Sequence, residues 1–288
     1  MSQSIAQSLP ETSSVAPSAT KARASSTSSK RKAKSVLFIK RFMVLVGFLG
    51  IWSIAVQVGL ADAAFISTPG QVYTAFMKLL TDGTVWPHLY TTFIEVGAAF
   101  ALSVAFGILA AIILDRNEGF HDVISPYLAA FNSMPRIALG PIFILWFGIG
   151  ISSKVVLATS LGFFIILMST LGGLRNVDRD MLMMSRLYGA SNLKLFWFVR
   201  LPWALPSVFA GLKLTLIYCM SGAVIGEMIA AQSGLGLLLQ TYSGQFDIAS
   251  VLAVMLTLIL VVVALTSIID AIERKLLGWS KGSTNIPE

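Results

Sequence analysis

Four polar residues interrupt long apolar stretches of this sequence, and they are the first candidates for chemistry. Asn132, Ser133 and Arg136 flank Pro135 in one stretch, and Glu227 lies within "GAVIGEMIAA" in another. An ionisable side chain in such surroundings is costly, and it normally faces protein or water. Asn132, Ser133 and Arg136 are therefore candidates for the lining of a pathway. Glu227 is a candidate for an outer gate or for the support of a neighbouring loop.

Arg136 admits three roles, and residue types alone leave them open. Its cation could meet an anionic substrate beside backbone groups freed by Pro135, pair with an acid such as Glu227, or extend to the membrane surface. Glu95, near the start of another apolar stretch, is expected to have a structural role.

The sequence predicts no metal site, disulfide or bound nucleotide. His88 and His121 stand alone, and Cys219 is the one cysteine of the chain. No glycine-rich GxxxxGKS or GxxxxGKT loop occurs. No cofactor is therefore expected.

The composition is that of a membrane protein. The chain has 288 residues, of which 56% are hydrophobic and 12% charged, and its mean hydropathy is +0.79. A soluble domain carries about 25% charged residues. Apolar runs long enough to cross about 30 Å of hydrocarbon recur without strand-like alternation. The predicted class is all-α and polytopic.

About six transmembrane helices are predicted, the third interrupted at Pro135 and Pro141. A short helix is also expected in "STPGQVYTAFMKLL", with Thr68 or Ser67 as its cap and Pro69 in its first turn. Glycines at five positions fit close helix contacts. The predicted spans are 42–60, 89–114, 121–148, 153–173, 206–229 and 248–270, and the glycines are Gly140, Gly148, Gly162, Gly222 and Gly226.

Residues 1–35 are predicted to form a disordered basic tail, because Ser, Ala, Thr and the cluster "KRKAK" cannot build a core. A cleaved signal peptide would use "ADAA" at 61–64, but the basic region and the apolar run are both too long for one. An organellar transit peptide fits the composition loosely. An uncleaved cytoplasmic tail followed by a first transmembrane helix at 36–64 is preferred.

The distribution of Lys and Arg predicts the orientation. With the N-terminus inside, the inside segments hold 18 of the 21 Lys and Arg residues and the outside segments hold two. Because positive residues concentrate in cytoplasmic segments, both termini and the loop at 176–207 are predicted to be cytoplasmic.

The sequence of the loop at 176–207 predicts two helices joined by a sharp turn. Asp178 or Asp180 caps the first, Gly189 ends it, and Ser191 caps the second, "NLKLFWFVR". Pro202 and Pro206 are expected to stop that second helix. The loop is then either an amphipathic segment resting on headgroups or a docking surface for a soluble partner.

The loop resembles the EAA loop of permease subunits of bacterial ABC importers, in which EAA, three residues, G, nine residues and I-x-LP follow one another. Gly189 is followed by nine residues and then by Val199, Arg200, Leu201 and Pro202. The EAA positions depart from the pattern. The resemblance implies ATPase coupling by Met183, Met184, Ser185, Gly189, Ala190, Ser191, Val199, Leu201 and Pro202.

Two further stretches resemble the same family, "PRIALGPIFILWFGIGISSK" at 135–154 and "GAVIGEMIAAQSGLGLLL" at 222–239. The resemblance covers about residues 65–275, with a cytoplasmic tail at 276–288 beyond it, and is greatest to the nitrate, sulfonate and taurine branch. It implies a location in the bacterial inner membrane, separate ATPase subunits, a solute-binding protein outside, a second copy of this chain, membrane lipid around it, no nucleic acid and no catalytic residue.

The predicted function is that of a transmembrane permease subunit importing a small anion of the sulfonate, taurine or nitrate type. A secondary transporter working without an ATPase, or a membrane anchor for a soluble complex, are the alternatives. Few intramembrane acids are available for ion coupling, and the interrupted third span favours a pathway over an anchor.

Overall fold

The computed structural model describes residues 20–59 and 66–277, with side chains from residue 39 onward. The regular elements of these two stretches are all helical, which confirms the all-α class. A 3-10 turn lies at Arg136–Leu139 and a π-helical turn at Phe196–Arg200. The α-helices are α1 Thr20–Gln57, α2 Pro69–Thr81, α3 Val85–Arg116, α4 Glu118–Ser133, α5 Gly140–Phe147, α6 Ile151–Arg175, α7 Arg179–Leu187, α8 Asn192–Leu195, α9 Leu201–Ile229, α10 Leu235–Gly244 and α11 Ile248–Leu276.

Helix α1 forms one unit by itself, and it differs from the sequence prediction in where it begins. Its membrane-length part is Ile39–Gln57. The helix starts at Thr20 and therefore runs through residues 20–35 of the segment for which the sequence predicts a basic tail. Extending a helix costs far less than nucleating one, and Ala, Lys and Arg in this segment favour it. Residues 1–19 and the "ADAA" stretch lie outside the described residues.

The second unit contains α2 to α11, and its third predicted span is broken. Helices α3, α6 and α11, and the continuous stretch Asn192–Ile229, are each long and apolar enough to cross a membrane. Glu118–Ser133 and Arg136–Phe147 meet at an angle of 78°, with Pro135 between them. Pro141 makes no second break, because it stands in the first turn of α5, where a missing N–H costs nothing.

Small residues let α6 pack closely between α3 and α9. A Cβ atom added to Gly162 would lie 2.6 Å from Cys219 Sγ and 2.7 Å from Ser103 Oγ, and one added to Gly222 would lie 2.7 Å from Ala158 Cα. Such close approach maximises van der Waals contact where lipid provides no hydrophobic drive between helices. The core of the second unit is therefore this three-helix contact.

Gly148 differs from the other four glycines predicted at helix contacts. Gly140, Gly162, Gly222 and Gly226 each face a neighbouring side chain or backbone atom. Gly148 has no atom close to its Cβ direction and instead has φ of 78°, which ends α5 in a conformation that glycine adopts most easily. Its role is to terminate a helix.

Helix α2 begins with the predicted cap. Thr68 Oγ1 accepts a hydrogen bond from Gln71 N at 3.3 Å, and Gln71 Oε1 accepts one from Thr68 N at 2.9 Å, with Pro69 in the first turn. This reciprocal capping box satisfies two donors that would otherwise lack a partner at the helix start.

Replacing Thr68 with alanine is expected to destabilise the first turn of α2 by about 1 kcal/mol, because both capping bonds lose their geometry. Amide hydrogen exchange at residues 70–72 should then be about fivefold faster. Thr74→Ala is the control, since Thr74 Oγ1 bonds only to the helix carbonyl of Gln71. Equal exchange rates in the two variants would contradict the assignment.

Candidate functional site

Helices α7 and α8 and the turn between them form a hairpin, called here the coupling hairpin after the role that the resemblance implies for it. Asp178 caps α7 by accepting from Asp180 N at 2.9 Å. Gly189 has φ of 80°, and its N–H donates to Arg186 O at 2.9 Å. Ser191 Oγ then accepts from Lys194 N at 3.4 Å. The two helix caps and the left-handed glycine that the sequence predicts for this loop are therefore formed in the structure.

The helix after the turn does not stop at Pro202 and Pro206, and that prediction is wrong. The chain is helical throughout Asn192–Ile229. Between α8 and α9 the backbone makes a π-helical turn, with Leu201 N donating to Phe196 O. Pro202 lies in the first turn of α9 and Pro206 inside it, where the loss of one N–H is tolerated because the surrounding turns remain bonded. The hairpin thus continues directly into a membrane-spanning helix.

Two contacts attach the hairpin to the end of α3. Arg200 Nη1 donates to Asp115 Oδ2 at 2.9 Å, and the Asp115 carboxylate is buried. The Arg116 guanidinium lies over the Phe196 ring, 5.2 Å from its centroid. Leu195 is buried beside Phe196. These contacts make the junction of α8 and α9 rigid with respect to α3.

The free side of the hairpin is an exposed surface with many apolar residues. Tyr188 is 87% exposed and Met183 is 63% exposed. Ser185 has no free hydroxyl, because its Oγ donates to Met181 O at 2.8 Å. Large apolar side chains concentrated on one exposed segment mark an interaction site. This coupling surface consists of Met183, Met184, Leu187, Tyr188, Leu193 and Phe198.

Glu227 lies at the opposite end of the bundle, where α9 ends and α3 and α6 begin, and its side chain is fully buried. Its Oε1 accepts from Thr92 Oγ1 and its Oε2 from Gly236 N, both at 2.6 Å. The carboxylate therefore joins α9 to α3 and to the first turn of α10. Glu227 is a candidate for an outer gate or for the support of a neighbouring loop, and these contacts fit the second role.

Glu95 and Lys154 complete a buried charged cluster around Glu227. Both are at most 2% exposed, and the Glu95 side chain lies within hydrogen-bonding range of Glu227. Lys154 Nζ donates to Ile149 O at 2.6 Å and to Gly150 O at 3.0 Å, and it lies close enough to act electrostatically on both carboxyl groups. The lysine thus joins the end of α5 to this carboxyl cluster.

Three side chains of α3 fasten the loop before α10. His88 Nδ1 lies 3.0 Å from Gly234 N, Thr91 Oγ1 lies 2.9 Å from Ser233 Oγ, and Thr92 Oγ1 accepts from Leu235 N at 2.9 Å. With the Glu227 bonds they form a latch that holds residues 233–236 against α3.

Arg136 does not pair with Glu227. Its Nη1 donates to Ser160 O at 2.7 Å, its Nη2 donates to Asn132 Oδ1 at 3.1 Å, and its guanidinium stands over the Phe164 ring at 4.8 Å. Asn132 and Arg136 are thus brought together at the bend between α4 and the following turn, whereas Ser133 bonds only to its own helix. No residue of α4 is buried within the described chain.

Thr92, Lys154 and Asp115 are the polar residues that the sequence reasoning missed. Thr92 stands three residues before Glu95, so both lie on one face of α3, and a polar pair on one face of an apolar helix was a usable signal. Within residues 39–59 and 66–277 no group of three or more His, Cys, Asp or Glu side chains could hold a metal ion.

The second unit is a bundle of membrane-length helices with an exposed helical hairpin at one end, which places it in the class of polytopic helical membrane proteins. The family model for the inner membrane component of binding-protein-dependent transport systems matches residues 103–278. The chain belongs to this family.

Two curated relatives and one solved structure are similar to most of the chain. The riboflavin transport system permease protein RibX of Chloroflexus aurantiacus is 30% identical over 237 residues, with 82% of this chain and 88% of the relative covered. The taurine transport system permease protein TauC of Escherichia coli is 30% identical over 244 residues, with 82% and 87% covered. An inward-facing structure of the MetNI methionine ABC transporter matches with a TM-score of 0.52 and 26% identity, over 69% of this chain and 97% of that chain.

The chain is therefore an inner-membrane permease subunit of an ABC importer, and ATP hydrolysis in such an importer belongs to a separate subunit. Membership of the family implies an ATPase and a binding protein as partners. It supports the importer interpretation over a secondary transporter or a membrane anchor.

Proposed function

We propose that the coupling hairpin transmits ATPase movements to the translocation pathway, with Gly189, Ala190 and Ser191 forming its turn. The observation that carries this proposal is the unbroken helix from Asn192 to Ile229, which joins the coupling surface to the core of the bundle. A displacement of the hairpin would move α9 as a lever, because helices and packed cores transmit movement with little compression. Val199, Leu201 and Pro202 stand at the junction of that lever.

The hairpin is proposed to face the cytoplasm together with both termini, and the cargo to be a small organic anion. The excess of Lys and Arg in the inside segments supports this orientation. The similarity to a taurine permease supports a sulfonate-type cargo, although another relative is named for riboflavin. Selection among cargoes is assigned mainly to the solute-binding protein on the outer side.

A second copy of the chain is proposed to cover the open face of α4 and the bend. Asn132 and Ser133 lie there at the end of a helix that buries none of its residues in a single chain, and Arg136 begins the turn that follows. Polar groups facing lipid at this depth would be costly, whereas polar groups facing a shared pathway would be hydrated. The latch around Glu227 would then act as the outer gate support of each copy.

Replacing Tyr188 with aspartate is the direct test of the coupling surface. The tagged chain is purified together with its cognate ATPase in mild detergent. The amount of ATPase that the chain retains is then measured. We expect Tyr188→Asp to lower ATPase retention by about fivefold or more, because a central aromatic anchor becomes a charge. Phe246→Asp is the matched control, because it also replaces an exposed aromatic residue with aspartate. Phe246 is 74% exposed and lies on the loop between α10 and α11, outside the hairpin. Equal retention by both variants, or no ATPase with the unmodified chain, would contradict the proposal.

A further inference from the structure

A polar cavity of about 630 Å³ lies between the coupling hairpin and the turn from α3 to α4. Its lining combines three arginines, Arg116, Arg186 and Arg200, with the apolar side chains of Leu193 and Phe196. Cavities of this size are typical of ligand sites. The coupling role proposed above does not require a cavity here.

The positive charge of this cavity exceeds its negative charge. Of the two lining carboxylates, Asp115 is buried and already paired with Arg200, which leaves Glu118 as the free acid. The Arg200 Nε atom is buried without a hydrogen-bond partner in the described residues. Arg116 is held over the Phe196 ring. Two guanidinium groups are therefore fixed in place before any ligand arrives.

The location and the mixed lining favour a lipid ligand. The cavity lies where α3 ends and the helix through α9 begins, which are the ends of two membrane-spanning stretches. With the orientation proposed above, this is the level of the cytoplasmic headgroups, where anionic lipids accumulate. One guanidinium group can donate two parallel hydrogen bonds to phosphate oxygens. The apolar side chains of the lining can contact the glycerol and the first acyl carbons.

We infer that this cavity binds the phosphate headgroup of an anionic phospholipid. The lipid would bridge the α3–α4 turn and the coupling hairpin, and would stiffen the hairpin at its point of attachment. The inference rests on the proposed orientation, but not on ATPase docking. Lipid retention is measured without an ATPase, so the two proposals fail separately.

Native mass spectrometry of the full-length chain in detergent tests the inference, with phosphatidylglycerol and phosphatidylcholine added in equal amounts. We expect the unmodified chain to retain phosphatidylglycerol preferentially, and Arg186→Gln to weaken that retention about fivefold. Arg186 is exposed, so the variant should fold normally, and Arg116→Gln provides a second removal of charge. Arg179→Gln is the matched control, because Arg179 lies on the same helix but outside the cavity lining.

Four results would overturn the inference. The first is equal retention of the two lipids by the unmodified chain, and the second is equal loss of phosphatidylglycerol from the Arg179 and Arg186 variants. The third is binding of inorganic phosphate, with the same dependence on Arg186, by a chain that retains no phosphatidylglycerol. The fourth is a loss of ATPase retention in Arg186→Gln when phosphatidylcholine is the only lipid present. That result would assign the cavity to ATPase binding.

Discussion

Glu227→Ala should destabilise the folded chain by about 3–5 kcal/mol, the largest single effect expected here. The substitution removes the acceptor of two 2.6 Å bonds and leaves the Gly236 N–H buried without a partner, whereas the Thr92 hydroxyl keeps Leu235 N and His88 O as neighbours. It also removes one of the two carboxyl groups that lie near the buried cation of Lys154. Lys154 keeps Glu95 and two carbonyl acceptors, so the expected cost comes from the lost hydrogen-bond acceptor and from the cavity that the missing side chain leaves.

Glu227→Gln separates the loss of charge from the loss of volume. Glutamine keeps one acceptor oxygen and replaces the other with a donor that cannot accept from Gly236 N, so a smaller cost of about 1–3 kcal/mol is expected. Unfolding of the purified chain in mixed detergent micelles measures both variants. Hydrogen exchange at the amides of residues 234–236 should rise in each, because the latch that covers them is opened.

Asp122→Asn is the control for this series. Asp122 is 80% exposed in its contact with His121, and an exposed pair contributes about 0–1 kcal/mol. The free energy of unfolding of Glu227→Ala could instead lie within about 1 kcal/mol of that of the unmodified chain. The latch would then not contribute measurably to stability, and its proposed role at an outer gate would lose its physical basis.

Gly189→Val should uncouple the permease from its ATPase while leaving membrane insertion intact. Gly189 has φ of 80° and no atom within 4 Å of its Cβ direction, so the penalty comes from the backbone and not from a collision. A β-branched residue in the left-handed region is strained by about 1–2 kcal/mol. The equilibrium constant that favours the native turn should therefore fall roughly 5- to 30-fold, and ATPase activity stimulated by the permease should fall with it.

Two variants show whether the turn itself is responsible. Gly189→Asn should keep most of the coupling, because asparagine tolerates the left-handed conformation. Gly83→Val imposes the same backbone strain at φ of 75°, also without a neighbouring atom, in the turn between α2 and α3. Coupling lost equally in Gly83→Val and Gly189→Val would reflect general destabilisation, and coupling retained in Gly189→Val would contradict the lever.

Short-range features of the fold were predicted correctly because their causes lie within a few residues. The cap at Thr68, the left-handed Gly189 and the cap at Ser191 each depend on contacts three to five residues apart. The bend at Pro135 follows from the backbone restriction that a proline imposes on its neighbours. The resemblance of the loop to the permease family rests on these same local motifs.

Pro202 and Pro206 show where local reasoning fails. Each disfavours helix when considered alone, yet the helix continues through both, since the π-helical turn before Pro202 absorbs the mismatch and α6 packs along the following helix. Helix α1 likewise starts before its apolar span, because extending an existing helix costs less than nucleating a new one.

The sequence by itself determined the membrane class, the number of apolar spans, the bias of charge and the turn of the coupling hairpin, since hydropathy and cap chemistry are local properties. Only the tertiary structure decided that Glu227 meets Thr92, 135 residues away along the chain, and that Arg200 meets Asp115 instead of a partner molecule. Nothing in the spacing of such residues specifies their contact. It arises when α3, α6 and α9 pack through their small side chains, and that packing places the latch at one end of the bundle and the arginine-lined cavity at the other.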